Sequence, residues 1–303
     1  MLTPWEFIVD LTNPLLAFLP RALAVSVLCA VVCAVVGNHV VLRGMAFLGD
    51  AVAHSVFPGI AVAFLMGGSL LLGGLIAGLV TAVLIAVLAQ FPRVSEQNII
   101  GLLMTSTFAA GIVIISKAPG YTGSLTSFLF GSIAGVSSND VLIAAVAAAV
   151  IVAIVVTLNP YFMAVAFERE TARANGLPVF LLDLTLYLLV TTAVVLSVRS
   201  IGNILVLALL VTPPATARLL AERVAPMMLV SAGMGAGAAI VGLYLSWALD
   251  LPAGGTIVLV SGLEFLLAWL FAPRHGVITP RIWQRRAARK ELLSARKALL
   301  STT

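Results

Sequence analysis

From the turn at Gly67-Gly68-Ser69 to about Phe91 the chain carries no charged side chain, and apolar runs of similar length recur from end to end. A bilayer is crossed by roughly 20 apolar residues in a helix. Without water, every backbone amide and carbonyl must be paired within the crossing segment or around a closed barrel. The runs are continuous rather than alternating at every second residue, which excludes a barrel and leaves helices. With 61% apolar and 10% charged residues and a mean hydropathy of +1.16, the chain is no ordinary soluble domain, in which charge runs near a quarter. Its 303 residues accommodate about eight to ten such helices with short loops.

The pattern predicts an all-α polytopic membrane protein of eight or nine transmembrane helices. Residues 1–13 read as an interfacial segment with Trp5 and Phe7 as headgroup anchors. Spans follow at about Pro14–Val36, Met45–Met66, Ser69–Phe91, Ile99–Ser116, Val141–Leu158 and Phe180–Val198. Between the first two, Gly37–Gly44 reads as a loop holding His39 and Arg43. Lys117–Gly123 is turn-rich, and Leu125–Gly131 is too short to cross, as a re-entrant or surface helix would be. Arg199-Ser-Ile-Gly202 interrupts the sixth span. Ile204–Val211 is then stopped by Pro213 and Pro214, which predicts a broken helix whose freed backbone groups face neighbouring helices or a cavity. The last two spans run from about Met227 to Leu249 and, beyond Asp250–Gly255, to Phe271. Eight spans result if the pieces around Arg199–Pro214 form one broken crossing.

Charge sets the expected orientation. Eight of the 17 Lys and Arg fall after Pro273: Arg274, Arg281, Arg285, Arg286, Arg289, Lys290, Arg296 and Lys297. By the positive-inside rule that end is cytoplasmic. Residues 1–273 form a transmembrane domain and residues 274–303 a basic cytoplasmic tail, suited to lipid headgroups rather than nucleic acid. Counting back, Arg43, Arg93, Phe167–Pro178 and Arg218–Arg223 are cytoplasmic; the N-terminus, Lys117 and Arg199 are external. Glu6 and Asp10, with no early Lys or Arg, do not make a cleavable signal peptide. Cys29 and Cys33 read as small buried hydrophobes, with no disulfide framework around them.

Inside the second span, Asp50 and His54 stand four residues apart and stack on one helix face. Ionisable residues at membrane depth are costly and mark function by default. One reading is a transient site for a divalent metal, since carboxylate plus imidazole suits manganese, iron and zinc and a short ligand set permits release. The other is a buried Asp–His hydrogen bond that orients helix packing. The spacing alone leaves both open, and two ligands on one helix do not complete a coordination shell. Glu264 is a second intramembrane carboxylate, expected to face a crevice or a backbone partner rather than to be a third ligand. Gly74-x-x-x-Gly78 and Gly233-x-x-x-Gly237 are expected helix contacts, and His39 a solvated loop histidine.

No catalytic motif is present: no phosphate-cradling glycine loop precedes Lys117, Lys290 or Lys297, and there is no HExxH. The chain has no engine of its own and no resident cofactor is expected. The most polar internal stretch is Phe167-Glu168-Arg169-Glu170-Thr171-Ala172-Arg173-Ala174-Asn175-Gly176-Leu177-Pro178. Acidic residues at its start and Asn-Gly-x-Pro at its end predict a short cytoplasmic helix. It is suited to dock on a separate protein; the plainer reading is a solvated loop.

Several of these stretches, in order, resemble the permease subunit of bacterial ATP-binding-cassette importers for manganese, zinc or iron. Arg43–Ala61 is similar to the signature on that family's second helix. Ile100-Gly101 through Gly111 and Leu129-Phe130-Gly131 resemble its middle block, and Glu168–Pro178 the loop whose coupling helix fits a groove on the ATPase. Arg199-Ser-Ile-Gly202 through Val211-Thr-Pro-Pro-Ala-Thr-Ala-Arg218 and Tyr244–Gly254 resemble its later blocks, with Pro213-Pro214 where the family has one proline. The resemblance covers about Arg21 to Pro273. It implies a multi-pass protein of the bacterial cytoplasmic membrane, assembled as a homodimer with two cytoplasmic ATPase subunits and an external solute-binding protein that delivers zinc or manganese. It also implies that Asp50 and His54 line the path as metal ligands. The rival functions are a self-contained proton-coupled metal carrier, a membrane scaffold with a structural Asp–His pair and, more remotely, uptake of iron chelate or cobalamin.

Overall fold

The computed structural model describes residues 3–91, 93–117, 135–272 and 276–277, and among these every regular element is helical. In chain order the helices are α1 (Pro4–Thr12), α2 (Phe18–Leu42), α3 (Leu48–Leu65), α4 (Leu70–Leu88), α5 (Glu96–Ile115), α6 (Ser138–Phe167), α7 (Arg169–Ala174), α8 (Val179–Ile201), α9 (Asn203–Leu220), α10 (Val224–Leu249) and α11 (Ala253–Phe271). Eight of them are long and apolar enough to cross a membrane, and α9 is a shorter apolar helix. The expected count of eight or nine spans is therefore met. The expected surface helix at Leu125–Gly131 and the basic residues of the tail lie outside the described residues.

Serine side chains start three of the helices. Ser69, Ser95 and Ser137 accept hydrogen bonds from the backbone of Leu72, Asn98 and Asp140, relieving amides that have no partner in the first turn. Central to the bundle are α2 and α8, the most buried of the spans. Helix α2 packs against α6, α8, α9 and α10, while α3, α4 and α5 form one group that meets α8 through α3 and α4. Helices α9, α10 and α11 form a second group.

Glycines set how closely these groups approach. Gly59 of α3 and Gly73 of α4 lie so near that a Cβ on either would collide with the other's backbone oxygen. Gly111 brings α5 onto Phe57 and Pro58, and Gly49 receives the Leu210 side chain of α9. Helix α3 is thus gripped by three neighbours without the driving force that water would supply, as small residues allow in a bilayer.

Several expectations need correction. Pro213 and Pro214 do not stop the helix: α9 runs through both to Leu220. They cost the amide hydrogens that the Leu209 and Leu210 carbonyls would accept, but proline's fixed φ is itself helical and the surrounding helices support the segment. Gly37 lets the α2 backbone close onto the Leu210 carbonyl, and the Thr216 hydroxyl donates to the Thr212 carbonyl at 2.7 Å. The break lies at Gly202, the end of the Arg199–Gly202 stretch expected to interrupt this region; its φ of 85° and ψ of 160° belong to a region almost exclusive to glycine.

His39 is not in a solvated loop. Helix α2 continues to Leu42, and the ring is fully buried edge-on against Phe162, with neither nitrogen hydrogen-bonded. Phe7 is buried against Tyr244 rather than anchoring outward, while Trp5 is exposed; Asp10 accepts from the Trp247 indole at 2.9 Å and ties α1 to α10. Gly74 and Gly78 meet Val56 and Thr191 as packing residues, but Gly233 has no neighbour close to it. Gly242, which a Cβ would drive into Ile257 of α11, makes the close contact on that side. Cys29 and Cys33 are buried and free, as expected.

A methyl group at Gly37 or Gly59 would strike backbone, which cannot rotate away. Gly37→Ala and Gly59→Ala should each destabilise the detergent-solubilised protein by about 1–3 kcal/mol or more, read as a fall in thermal midpoint by scanning fluorimetry. Gly233→Ala, with open space around it, should leave the midpoint unchanged or raise it.

Candidate functional site

Asp50 lies in the first turn of α3 and His54 one turn further on. From Leu48 to Phe57 every residue except these two is buried. Their side chains keep 20% and 22% of their surface, so they occupy the least covered face of this segment. At a rise of about 1.5 Å per residue, the pair sits within roughly 10 Å of the start of the helix.

The Asp50 Oδ1 and His54 Nε2 atoms are 3.3 Å apart. That is long for a good N–H···O bond. Adjacent ligands of one ion, with bonds of about 2.1 Å at 90–110°, lie roughly 3.0–3.4 Å apart. The spacing therefore suits two donors to one cation at least as well as it suits a hydrogen bond. His54 is held by its ring, which meets Phe108 of α5 edge-on at 4.8 Å, with Phe57 beyond at 5.8 Å. Its Nδ1 is buried without a hydrogen-bond partner. Ligating histidines ordinarily donate that second N–H to an oxygen, which strengthens the metal bond; among the described residues His54 has no such acceptor. Pro58 stands four residues after His54 and has no N–H to offer its carbonyl, so this turn lacks one regular helical hydrogen bond.

No third ligand comes from the described residues. Among the described residues there is no cluster of three or more His, Cys, Asp or Glu side chains able to hold a metal. Glu264 is half-buried on α11, with Oε1 beside Gly237 of α10 and Oε2 unpartnered, and it does not join Asp50 and His54.

The other expected element forms as a short helix. Glu168 precedes α7 in extended conformation and Gly176, with φ of 77°, ends the turn behind it. Ala172 is buried beneath α7. Phe167, 83% exposed, and Glu170, Thr171 and Ala174 face away from the bundle.

Sequence reasoning missed the residue that holds α7 down. Asp183, in the second turn of α8, is fully buried; its Oδ1 accepts from Arg43 at 2.7 Å and its Oδ2 from Arg169 at 2.5 Å. Arg43 also reaches the Phe162 carbonyl of α6 at 3.4 Å and lies over the Phe162 ring. Glu96, at the start of α5, stands within coulombic reach of Asp183, Arg169 and Arg43. Two guanidiniums and two carboxylates thus balance at one end of the bundle. Removing one partner of a buried pair of this kind costs about 3–5 kcal/mol. The signal was present: Asp183 is the only charged residue between Val179 and Val198, marked by the same rule that singles out Asp50.

Comparison with known proteins agrees with this architecture. The model of the ABC 3 transport family matches residues 16–272. The manganese transport system membrane protein MntC of Halalkalibacterium halodurans is 37% identical over 275 residues, covering 90% of this chain and 94% of that protein. The chelated iron transport system membrane protein YfeC of Yersinia pestis is 33% identical, over 87% of this chain and 90% of its own. Among solved structures, PsaBC from Streptococcus pneumoniae in complex with Fab superposes with a TM-score of 0.79 at 32% identity, covering 90% of this chain and 98% of that one. The chain belongs to the ABC 3 transport family.

Proposed function

We propose that this chain is the membrane-spanning permease of an ATP-driven importer of a divalent metal, with manganese as its first cargo. The observation that carries the reading is the α3 face on which Asp50 and His54 alone escape burial, with donor atoms 3.3 Å apart. A carrier needs ligands that bind in passing, and an oxygen and an imidazole nitrogen without a supporting hydrogen bond on Nδ1 provide that. Relatives named for manganese and for chelated iron support a transition-metal cargo. The carboxylate favours manganese and the imidazole favours zinc, so zinc is the competing ion.

Two ligands from one chain leave the shell incomplete. A second copy related by a two-fold axis would bring another Asp50 and His54, for up to four protein ligands. An external solute-binding protein would hand the ion to this path. Energy would come from cytoplasmic ATPase subunits seated on α7 and the end of α6, where the outward residues Phe167, Glu170 and Thr171 have no partner role within the bundle. In that arrangement α7, Arg43 and the C-terminal end face the cytoplasm of a bacterial cell, consistent with the basic residues after Pro273.

The test is uptake of radiolabelled manganese by proteoliposomes holding permease, ATPase and binding protein. Asp50→Ala should cut uptake at least tenfold while the complex still assembles; uptake at the wild-type rate would overturn the site. His54→Ala should raise the half-saturating manganese concentration and weaken inhibition by zinc more than inhibition by iron(II). Phe167→Ala combined with Glu170→Arg should release the ATPase on affinity purification. Uptake by the purified chain without ATPase would instead establish a self-contained carrier.

A further inference from the structure

Helix α7 is joined to α6 through Glu168 alone, so what it touches beneath determines where its movement goes. Two of its side chains reach other helices. Arg173 meets the Gln90 amide oxygen at the end of α4 at 3.4 Å, an exposed contact that contributes little. Arg169 meets the fully buried Asp183 at 2.5 Å. The other oxygen of that carboxylate is taken by Arg43 at 2.7 Å, so one side chain of α8 bridges α7 to the end of α2.

Arg43 is the residue on which α2 ends, and only a short turn separates it from α3. That turn is tight: the Met45 amide donates to the Val40 carbonyl and the Leu48 amide to the Met45 carbonyl, each at 2.9 Å. The Gln97 side chain of α5 donates to the Gly44 carbonyl at 2.8 Å. A shift of Arg43 is therefore delivered to the first turn of α3, where Asp50 lies.

We propose that Asp183 is a positioning residue that couples α7 to the metal-bearing helix, transmitting displacement of Arg169 through Arg43 to Asp50 and His54. The link is stiff for a physical reason. If α7 moved without α8 and α2, Asp183 would stay buried beside Glu96 with a single guanidinium left to balance both carboxylates, which an apolar bundle penalises heavily. Moving the three elements together keeps every charge paired. Both hydrogen bonds are charge-assisted and short, so little slack is available before the carboxylate must follow.

This inference rests on the reading that α7 is the ATPase seat, and the experiment separates the two. Proteoliposomes of the complete transporter are assayed for manganese uptake and ATP hydrolysis together, giving manganese moved per ATP, for wild type, Arg169→Gln, Arg169→Lys and Asp183→Asn. With Arg169→Gln the ATPase is expected to remain bound and active while manganese per ATP falls at least tenfold. Arg169→Lys, which keeps a positive charge opposite Asp183, should recover more than half of the ratio. Asp183→Asn should match Arg169→Gln; if it fails to assemble, the Arg169 pair decides. A merely structural role would lower both activities in proportion, so a ratio within twofold of wild type for Arg169→Gln overturns the proposal. Loss of the ATPase from Arg169→Gln also overturns it, because Arg169 would then belong to the docking surface. Failure of the underlying reading has its own signature: the Phe167→Ala, Glu170→Arg protein would keep its ATPase and its uptake.

Discussion

A charge in a bundle of this composition has to be matched by an opposite charge or has to face an opening, because desolvating it unmatched costs several kcal/mol. The carboxylates of the chain divide on that rule. Asp183 is fully enclosed and shared between two guanidiniums. Asp50 keeps part of its surface and has only an imidazole beside it. The first arrangement holds helices in register; the second leaves a carboxylate partly exposed and without a guanidinium to balance it. Both lie close to the same end of the bundle, on helices joined by the Arg43 turn. The proximity makes it physically reasonable for one to report on the other.

Positioning these groups depends on how near the backbones come. Apolar side chains gain nothing by leaving lipid for one another, so the bundle relies on close van der Waals contact. Gly59 against Gly73, Gly111 on Phe57 and Gly49 beneath Leu210 leave α3 little freedom on three sides. The remaining face is consequently defined by exclusion, and Asp50 and His54 are on it. Pro58 in α3 and Pro213-Pro214 in α9 each remove hydrogen bonds from helices that nevertheless continue. Such helices hold because their neighbours support them, and they are natural points for bending when the neighbours move.

The pattern of apolar runs was enough to read helices, their approximate number, the turn at Gly67–Ser69, the short polar helix after Phe167 and the i, i+4 pair on α3. Each of these is a local property: a run length, a capping residue or a helical period. The errors were of the opposite kind. His39 looked like a loop residue because Gly37 and Asn38 precede it, yet its burial is decided by Phe162, far along the chain. Pro213 and Pro214 looked like a stop because the consequence of proline was weighed within one helix, without Gly37 and α2 beside it. Gly233 matched a packing motif, but no neighbouring residue among those described comes close to it. Asp183 was legible by the same rule as Asp50 and was passed over because it has no helical partner four residues away; its partners are 140 and 14 residues distant.

What the sequence determined by itself is therefore the solvent the chain must live in, the helices that follow from it and the pairing of Asp50 with His54 on one face. These follow from hydropathy and from the 3.6-residue period, which need no knowledge of the rest of the fold. Only the tertiary structure decided which face of α3 stays open, that α9 runs on through Pro213 and Pro214 and that Arg43 and Arg169 meet on one carboxylate. The reason is that burial and charge pairing are properties of the space between helices, and that space is set by contacts among residues scattered along the whole chain.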